Sequence, residues 1–172
     1  KDFSTGIIGD LLVHEMTPLM YALDSDYPVR VFCAGSHMID LEMENHDQVL
    51  ITAQFADGHT MVVAGNTNNE QSFTNMIRGQ KGTIYLGGKD AELRPERPFV
   101  DDVEAEKSDL PDVPDQDMLR LNWLECIRSR EPNFSQVEFA TKMMVVVDLA
   151  TRSSWDGRAW SFDPGTHKVS PA

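Results

Sequence analysis

Two neighbouring stretches of the chain alternate between hydrophobic and polar residues. Residues 48–55 and 59–66 both show the period of two that is typical of strands with one buried face. Asp57 and Gly58 stand between them, and an Asp-Gly pair favours the tight turn of a hairpin. The alternation divides the first stretch into two sets of side chains that face opposite ways: Val49, Ile51, Ala53 and Phe55 against Leu50, Thr52 and Gln54. The pattern therefore predicts an antiparallel hairpin.

The rest of the pattern predicts an α+β fold. Short hydrophobic runs bounded by turn residues predict further strands at residues 29–36, 72–79, 82–88, 91–96 and 158–164. Hydrophobic residues at helical spacing predict helices at residues 7–23, 115–129 and from Ser135 onward. Sequential strands joined by tight turns favour an antiparallel sheet, and helices near both ends of the chain can cover one face of it. We expect an open, largely antiparallel β-sheet with helices packed on one face, in a single domain over residues 1–172.

The first predicted helix carries an aspartate and a histidine four residues apart. Asp10 and His14 would share one face of this helix. A carboxylate beside an imidazole can orient and charge a catalytic histidine, and it can equally satisfy a half-buried structural histidine. Pro18 interrupts the same helix, which must either kink or restart there with Thr17 as N-cap. The residues alone leave both roles of the pair open.

The charge of the chain limits its partners. It holds 28 acidic residues against 15 lysines and arginines, a net charge of −13. An acidic surface repels phosphate backbones, which argues against a nucleic-acid partner. Acids crowd residues 101–117, a stretch that serves either as an acidic docking strip or as a solvated loop, and Pro111 and Pro114 favour the loop.

Three features of the sequence point to the cytoplasm. No hydrophobic run is long enough to cross a membrane, and the first residues show no charged-then-apolar leader. The chain has two cysteines, Cys33 and Cys126, which we expect to be reduced and to lie in the core. We therefore expect a cytoplasmic protein with no membrane association.

Standard catalytic and cofactor motifs are missing from this sequence. The segment HEMTP resembles the start of a zinc-protease helix, but Pro18 stands where the second histidine is needed. A metal-dependent hydrolase would have to use His14, Glu15 and His46, whose spacing matches no standard zinc pattern. The sequence contains no GxSxG, GxGxxG or GxxxxGK[ST] motif. We predict no metal site and no nucleotide-binding loop in this chain.

Two further polar pairs are weaker candidates. His46 and Asp47 precede a predicted strand, and a turn or strand-entry role suits them better than a pocket. Arg94 and Arg97 could bind an anionic group, although arginines in a loop are most often simply solvated.

Three motifs, taken in order, are similar to those of a known family. A glycine entry followed by Asp-x-x-x-His on the first long helix is matched by Gly6, Asp10 and His14. A strand of the form I-x-G-x-x-G-x-I/L-x-L is matched at residues 77–86, and a helix with W-L-x-x-I-R-S-x-x-P at residues 123–132. In this order, and with the helix and strand that follow, they resemble the C-terminal domain of the Gfo/Idh/MocA oxidoreductases over nearly the whole chain.

The resemblance implies a function for the chain. Family members are NAD(P)-dependent oxidoreductases of sugars, inositols and related polyols, so this chain would be the substrate-binding and oligomerisation domain of a longer two-domain protein. NAD or NADP would be bound mainly by a Rossmann domain, whose GxGxxG and Glu-Lys-Pro motifs are not in this sequence, and we expect no cofactor on this chain alone. A homo-oligomer would form through the sheet face. The alternative is a non-enzymatic self-association or carbohydrate-binding module of the same fold.

The resemblance also implies roles for three residues. In the resembling enzymes a lysine of the other domain and the Asp/His pair converge on the carbinol carbon of the substrate. Asp10 and His14 would then be catalytic and substrate-binding, with the histidine taking the hydroxyl proton while hydride leaves for the cofactor. Thr17, at a position where the family often has aspartate, would contact the substrate. Without the other domain the chain should be inactive.

Overall fold

The computed structural model describes residues 2–87, 89–109 and 115–172. Its helices are α1 (Val13–Ala22), which continues from a π-helical turn (Ile8–Leu12), α2 (Asp115–Ser129) and α3 (Val137–Asp156), and a 3-10 turn spans Arg97–Phe99. Its strands are β1 (Pro28–Ser36), β2 (Gln48–Phe55), β3 (Thr60–Asn66), β4 (Asn75–Arg78), β5 (Gly82–Leu86), β6 (Asp90–Pro95), β7 (Glu106–Asp109), β8 (Trp160–Asp163) and β9 (Lys168–Pro171).

The chain divides into two compact units. The first unit comprises residues 1–72 and 137–172, and the second comprises residues 73–136. The expected single domain over residues 1–172 stays a prediction. Within the described ranges, no helix has the length and apolar character needed to cross a membrane.

The predicted fold class is confirmed, with the strands arranged in two sheets instead of one. The first unit holds a five-stranded sheet in the order β3-β2-β1-β8-β9, and the second holds a four-stranded sheet in the order β4-β5-β6-β7. The strand pairs of both sheets are antiparallel. The expectation of one sheet was wrong because tight turns determine which neighbouring strands pair, and they leave open which sheet a hairpin joins.

The hairpin predicted from the alternating pattern is confirmed. Strands β2 and β3 pair from Gln48 opposite Asn66 to Gln54 opposite Thr60. The N–H of Gly58 donates to the carbonyl oxygen of Phe55 at 3.1 Å. Gly58 adopts a φ of 97°, a left-handed conformation that glycine accepts without strain. The inward set of β2 is buried, as its alternation predicts: Val49, Ile51, Ala53 and Phe55.

The core of the first unit lies between one face of its sheet and the helices. Alternate residues of β1, β2 and β3 pack with residues of the π turn, α1 and α3 in one buried hydrophobic cluster. The opposite face of the sheet has no helix of the first unit on it, and it exposes three large hydrophobic side chains, one on each of the strands β1, β2 and β3: Phe32 at 43%, Leu50 at 47% and Val62 at 59%. The helices of this unit therefore pack on one face of the sheet.

The first helix runs through Pro18 without restarting. Pro18 lies inside α1, and Thr17 is not an N-cap, because its hydroxyl donates backward to the carbonyl oxygen of Val13 at 2.5 Å. Proline has no N–H to donate to the carbonyl of His14, so one helical hydrogen bond is missing there. Burial of the inner face supports the helix on both sides of this gap.

The second unit changes the interpretation of the acidic stretch. Residues 106–109 form β7, which pairs with β6 and adds an ion pair of 2.7 Å between Lys107 Nζ and Asp90 Oδ2. The prediction of a loop throughout residues 101–117 was therefore wrong for this strand. Pro111 and Pro114 lie outside the described residues, as does Gly88 at the end of the predicted strand 82–88. Helix α2 begins and ends where the sequence predicted it.

A candidate substrate site on the first helix

Asp10 and His14 lie on the outer side of the first helix. The inner side is a stripe of four buried residues, at every fourth position: Ile8, Leu12, Met16 and Met20. Asp10 and His14 are each two residues from a member of this stripe, a rotation of about 200° around a helix. Both are solvent-exposed. They therefore point away from the core of the first unit.

The pair is not a mutually satisfied structural pair. No hydrogen bond or ion pair joins Asp10 to His14 in the described part of the chain, which removes the interpretation of a half-buried histidine satisfied by a carboxylate. Thr17 is half-buried, and its hydroxyl proton is used by the Val13 carbonyl. The spacing of four and three residues places these side chains along one side of the helix.

A hydrogen-bond network anchors the segment that leads into this helix to residues that are distant in the sequence. The indole Nε1 of Trp155 donates to Asn45 Oδ1 at 3.1 Å, and Asn45 Nδ2 donates to the carbonyl oxygen of Ser4 at 3.2 Å. Gly6 has a φ of 62°, and a Cβ there would lie 2.6 Å from Asn45 Cβ, so this position requires glycine. The carbonyl of Gly6 accepts the N–H of Asp10 at 3.1 Å. The glycine of the first motif thus places the backbone of the aspartate.

A shallow depression adjoins Asp10. Six residues of the segment that leads into the helix line it: Asp2, Phe3, Ser4, Thr5, Gly9 and Asp10. Sequence reasoning did not identify this segment. The available signal was the spacing of four residues between Thr5 and Gly9, of which Gly9 directly precedes the aspartate.

The structure does not assemble the alternative metal site. His46 Nδ1 is hydrogen-bonded to Ser154 Oγ at 2.6 Å, and its ring lies 4.8 Å from that of His37. Among the residues that the structure describes, no group of three or more histidine, cysteine, aspartate or glutamate side chains is arranged to hold a metal ion. A hydrolase built on His14, Glu15 and His46 therefore has no support in the geometry.

Asp47 organises the connection between β1 and β2. It is 1% exposed, and its carboxylate accepts the backbone N–H groups of Met38, Ile39 and Asp40 at 2.8–3.0 Å. These hydrogen bonds, the one from Ile39 foremost, hold the pKa of the Asp47 carboxyl well below its usual range. The predicted strand-entry role is confirmed for this residue.

One arrangement that the sequence did not suggest has the connectivity of a hydrolase triad. Ser25 Oγ lies 3.2 Å from His59 Nε2, and His59 Nδ1 lies 2.6 Å from Asp57 Oδ1. Ser25 is only 1% exposed, so a substrate does not reach its hydroxyl. The ring of Phe55 stacks on the imidazole at 4.2 Å. We interpret these contacts as a structural tie between the end of α1 and the β2–β3 turn, because a nucleophile has to meet its substrate.

Arg94 is engaged within the second unit. It lies in β6 and not in a loop, and its guanidinium makes a bidentate pair with the Glu92 carboxylate at 2.9 and 2.7 Å. The same guanidinium lies 4.5 Å from the centre of the Tyr85 ring. The Arg94 guanidinium is therefore occupied by Glu92 and Tyr85 within the second sheet. The geometry does not support the interpretation that Arg94 binds an external anion.

Comparison with known proteins identifies the class to which this fold and helix belong. A model of the family described as "Oxidoreductase family, C-terminal alpha/beta domain", of the Gfo/Idh/MocA type, matches residues 1–171. The chain therefore belongs to the Gfo/Idh/MocA oxidoreductase family, as its C-terminal domain. No curated protein matches the chain.

Solved structures share the fold at low sequence identity. A putative NADPH-dependent oxidoreductase from Desulfitobacterium hafniense aligns with 91% of this chain and 48% of its own, at 20% identity and a TM-score of 0.74. An aldose-aldose oxidoreductase from Caulobacter crescentus, complexed with glycerol, aligns with 87% of this chain and 45% of its own, at 16% identity and a TM-score of 0.68. An oxidoreductase from Agrobacterium radiobacter, in complex with NAD+, L-tartaric acid and magnesium, also shares the fold. The alignment covers 90% of this chain and 48% of the other, at 18% identity and a TM-score of 0.63. The chain spans about half the length of these proteins.

Proposed function

We propose that this chain is the substrate-binding half of an NAD(P)-dependent oxidoreductase that acts on a sugar, an inositol or a similar polyol. The family match supports the class of enzyme. The observation that supports the position of the substrate site is that Asp10 and His14 point outward on a helix whose inner face is buried. In this proposal both residues are catalytic and bind substrate, and Thr17 contributes a contact beside them.

The chemistry of the pair suits proton transfer at a substrate hydroxyl group. A neutral imidazole has one ring nitrogen that accepts a hydrogen bond, so the ring of His14 can take a proton from a substrate hydroxyl and return it. The carboxylate of Asp10, on the same side of the helix, can accept a hydrogen bond from a substrate hydroxyl. Both side chains are exposed and able to meet a substrate. We therefore propose His14 as the general base and Asp10 as a catalytic group beside it that binds a substrate hydroxyl.

We expect no site for the nicotinamide cofactor on the residues described. A dinucleotide site of the usual kind needs a parallel βαβ unit with a glycine-rich turn at a helix N-terminus. The strand pairs of both sheets are antiparallel, and the sequence has no GxGxxG motif. These residues do not fit NAD or NADP, and in our proposal the cofactor is bound by a second domain.

Self-association is the second part of the proposal. Phe32, Leu50 and Val62 occupy the outer face of the first sheet, where Thr52 pairs with both Phe32 and Val62 across neighbouring strands. These exposed side chains form an apolar strip that a second copy would cover, and contiguous apolar surface commonly marks an interface.

The cytoplasm remains the proposed compartment, since both cysteines are free thiols. Cys33 lies in the core as expected, whereas the expectation was wrong for Cys126, which is only partly buried because α2 does not pack into the core of the first unit.

Turnover of the intact two-domain protein tests this function. The protein should be incubated with NAD+ or NADP+ and a panel of sugars and inositols, and formation of reduced cofactor should be followed by absorbance. We expect turnover with at least one neutral polyol. Activity with none of the panel, from protein shown to bind the cofactor, would favour the non-enzymatic module instead.

A further inference from the structure

We propose that Asn45 is a positioning residue, which sets the direction of the Asp10 side chain through the π-helical turn at the start of the first helix. The proposal rests on the proposed function, because it assumes that Asp10 meets the substrate. It adds two residues that none of the three sequence motifs contains. Asn45 reaches the start of the helix from the β1–β2 connection, and Trp155 supports it from α3.

Asp10 lies in the middle of the π-helical turn. The N–H of Val13 donates to the carbonyl oxygen of Ile8, five residues back, where an α-helix would use the residue four back. Such a turn holds one residue more than an α-helical turn, and single π turns inside helices often occur at functional sites. The extra residue changes the rotation between the residues on either side of it. The angle between the side chains of Asp10 and His14 therefore depends on whether this turn is kept.

The segment just before the turn is fixed by its contact with Asn45. Gly6 has a φ of 62°, and a Cβ added there would lie 2.6 Å from the Cβ of Asn45, so the two residues are packed directly against each other. The carbonyl oxygen of Gly6 accepts the N–H of Asp10 at 3.1 Å. A movement of Gly6 would therefore carry the backbone of Asp10 with it. Asn45 thus determines where the π-helical turn begins.

The side-chain amide of Asn45 is held at both ends. Its Oδ1 accepts the indole N–H of Trp155 at 3.1 Å, and its Nδ2 donates to the carbonyl oxygen of Ser4 at 3.2 Å. An indole nitrogen only donates and a carbonyl oxygen only accepts, so a flipped amide would lose both hydrogen bonds. Asn45 is also 8% exposed, so water does not replace a lost partner easily. One orientation of the amide is therefore favoured, and it holds the segment before the turn in one place.

The packing of the first helix does not depend on this amide. The buried stripe of the helix belongs to the hydrophobic cluster of the first unit, and those contacts remain when Asn45 is changed. We therefore expect variants of Asn45 to fold with a displaced turn. A displacement of about 1 Å in a catalytic group can lower a rate about 10²-fold, so turnover should respond more strongly than stability.

Turnover by variants of the intact protein tests the proposal. Asn45→Asp keeps the shape and the acceptor for Trp155, but it places a carboxylate oxygen against the carbonyl of Ser4, where the donor was. For a polyol that the protein turns over, we expect kcat/KM to fall about 10–10²-fold. Ser153→Ala is the matched control, because Ser153 is also buried and its hydroxyl oxygen accepts the N–H of Cys33 at 2.7 Å. It should lower Tm to a similar degree and leave kcat/KM unchanged.

A double-mutant cycle separates positioning from a general loss of stability. If Asn45 acts through Asp10, Asn45→Asp should lower kcat/KM by less than about 2-fold in a protein that already carries Asp10→Asn. An equal loss in both backgrounds, or full activity of Asn45→Asp, would overturn the proposal. Trp155→Phe removes only the donor to Asn45 Oδ1 and should lower kcat/KM about 2–10-fold, again only when Asp10 is present. It decides the question if Asn45→Asp does not fold.

Hydrogen exchange distinguishes a failure of this proposal from a failure of the proposed function. The exchange of the Asp10 amide should be followed by NMR in the isotope-labelled chain. We expect it to be about 10-fold faster in Asn45→Asp and unchanged in Ser153→Ala. Exchange at the parent's rate in Asn45→Asp would overturn the positioning. Faster exchange together with full turnover by Asp10→Asn would uphold the positioning and overturn the role of Asp10 in the proposed function.

Discussion

Leu12 packs so closely on Gly65 that a Cβ atom at residue 65 would lie 2.6 Å from Leu12 Cδ2. Leu12 belongs to the buried stripe of the first helix, and Gly65 lies on β3 of the first sheet. The missing side chain on the strand therefore determines how closely the helix approaches the sheet. Because Asp10 and His14 lie on the same helix, this contact also determines where the candidate site stands.

Gly65→Ala should destabilise the protein through this contact. The new methyl group would force the buried Leu12 side chain to move in a packed core, which typically costs about 1–3 kcal/mol. Urea unfolding followed by circular dichroism measures the change. Ala64→Ser, on the opposite face of the same strand, is the matched control and should change the free energy of unfolding little. Equal stability of Gly65→Ala and the parent chain would show that the helix is not seated as described.

Asp47→Asn should loosen the β1–β2 connection and change the response to acid. The amide keeps an acceptor but loses the charge to which three backbone N–H groups donate, so we expect Tm at neutral pH to fall by roughly 5–10 °C. Because the folded pKa of Asp47 is lowered, its contribution to stability is present above the unfolded pKa of about 3.9. It is lost as pH falls from about 5 toward the folded pKa.

Thermal unfolding across this pH range checks the sign of the effect. The difference in Tm between the parent chain and Asp47→Asn should shrink steadily as pH is lowered below about 5. Asp24→Asn, an exposed position that also accepts a left-handed backbone, is the control and should follow the parent. A difference that stays constant or grows on acidification would contradict the role of the carboxylate charge.

The local pattern predicted the hairpins better than their arrangement. The alternation in residues 48–55 and the turn at Asp57 and Gly58 were sufficient to predict β2, β3 and the buried set of β2. Strand β7 was not predictable from hydrophobicity, because its residues Glu106–Asp109 are exposed and it is held by pairing and by an ion pair from Lys107. The division into two sheets likewise depends on contacts that are distant in the sequence.

Leu50→Glu should weaken self-association without unfolding the chain. Leu50 lies at 47% exposure on the outer face of the first sheet, so a charge there remains solvated in the monomer but meets apolar surface in a complex. We expect sedimentation velocity to show the parent chain as an oligomer and Leu50→Glu as mostly monomer. Gln54→Glu, on the same face, is a control for added charge alone. A monomeric parent chain at high concentration would contradict the interface.

The sequence located the candidate pair but not its surroundings. The spacing of Asp10 and His14 predicted one helical face, and the motif order predicted the family. The π-helical turn that contains Asp10 could not be predicted from the sequence, because it depends on how Ile8 and Leu12 pack in the core. Asn45 is far from the helix in sequence, so its hydrogen bond to the carbonyl oxygen of Ser4 is visible only in the folded chain.

In the proposed function, His14 acts on the substrate and does not stabilise the fold. In the intact protein, with a polyol that it turns over, kcat/KM should be measured for the parent, for His14→Ala and for His167→Asn. His167 lies in the β8–β9 turn with a φ of 53°, a conformation that asparagine tolerates, and its replacement should leave turnover unchanged. Because His14 is exposed, we expect His14→Ala to keep the parent's Tm while kcat/KM falls about 10²–10⁴-fold. Full turnover by His14→Ala would contradict the assignment.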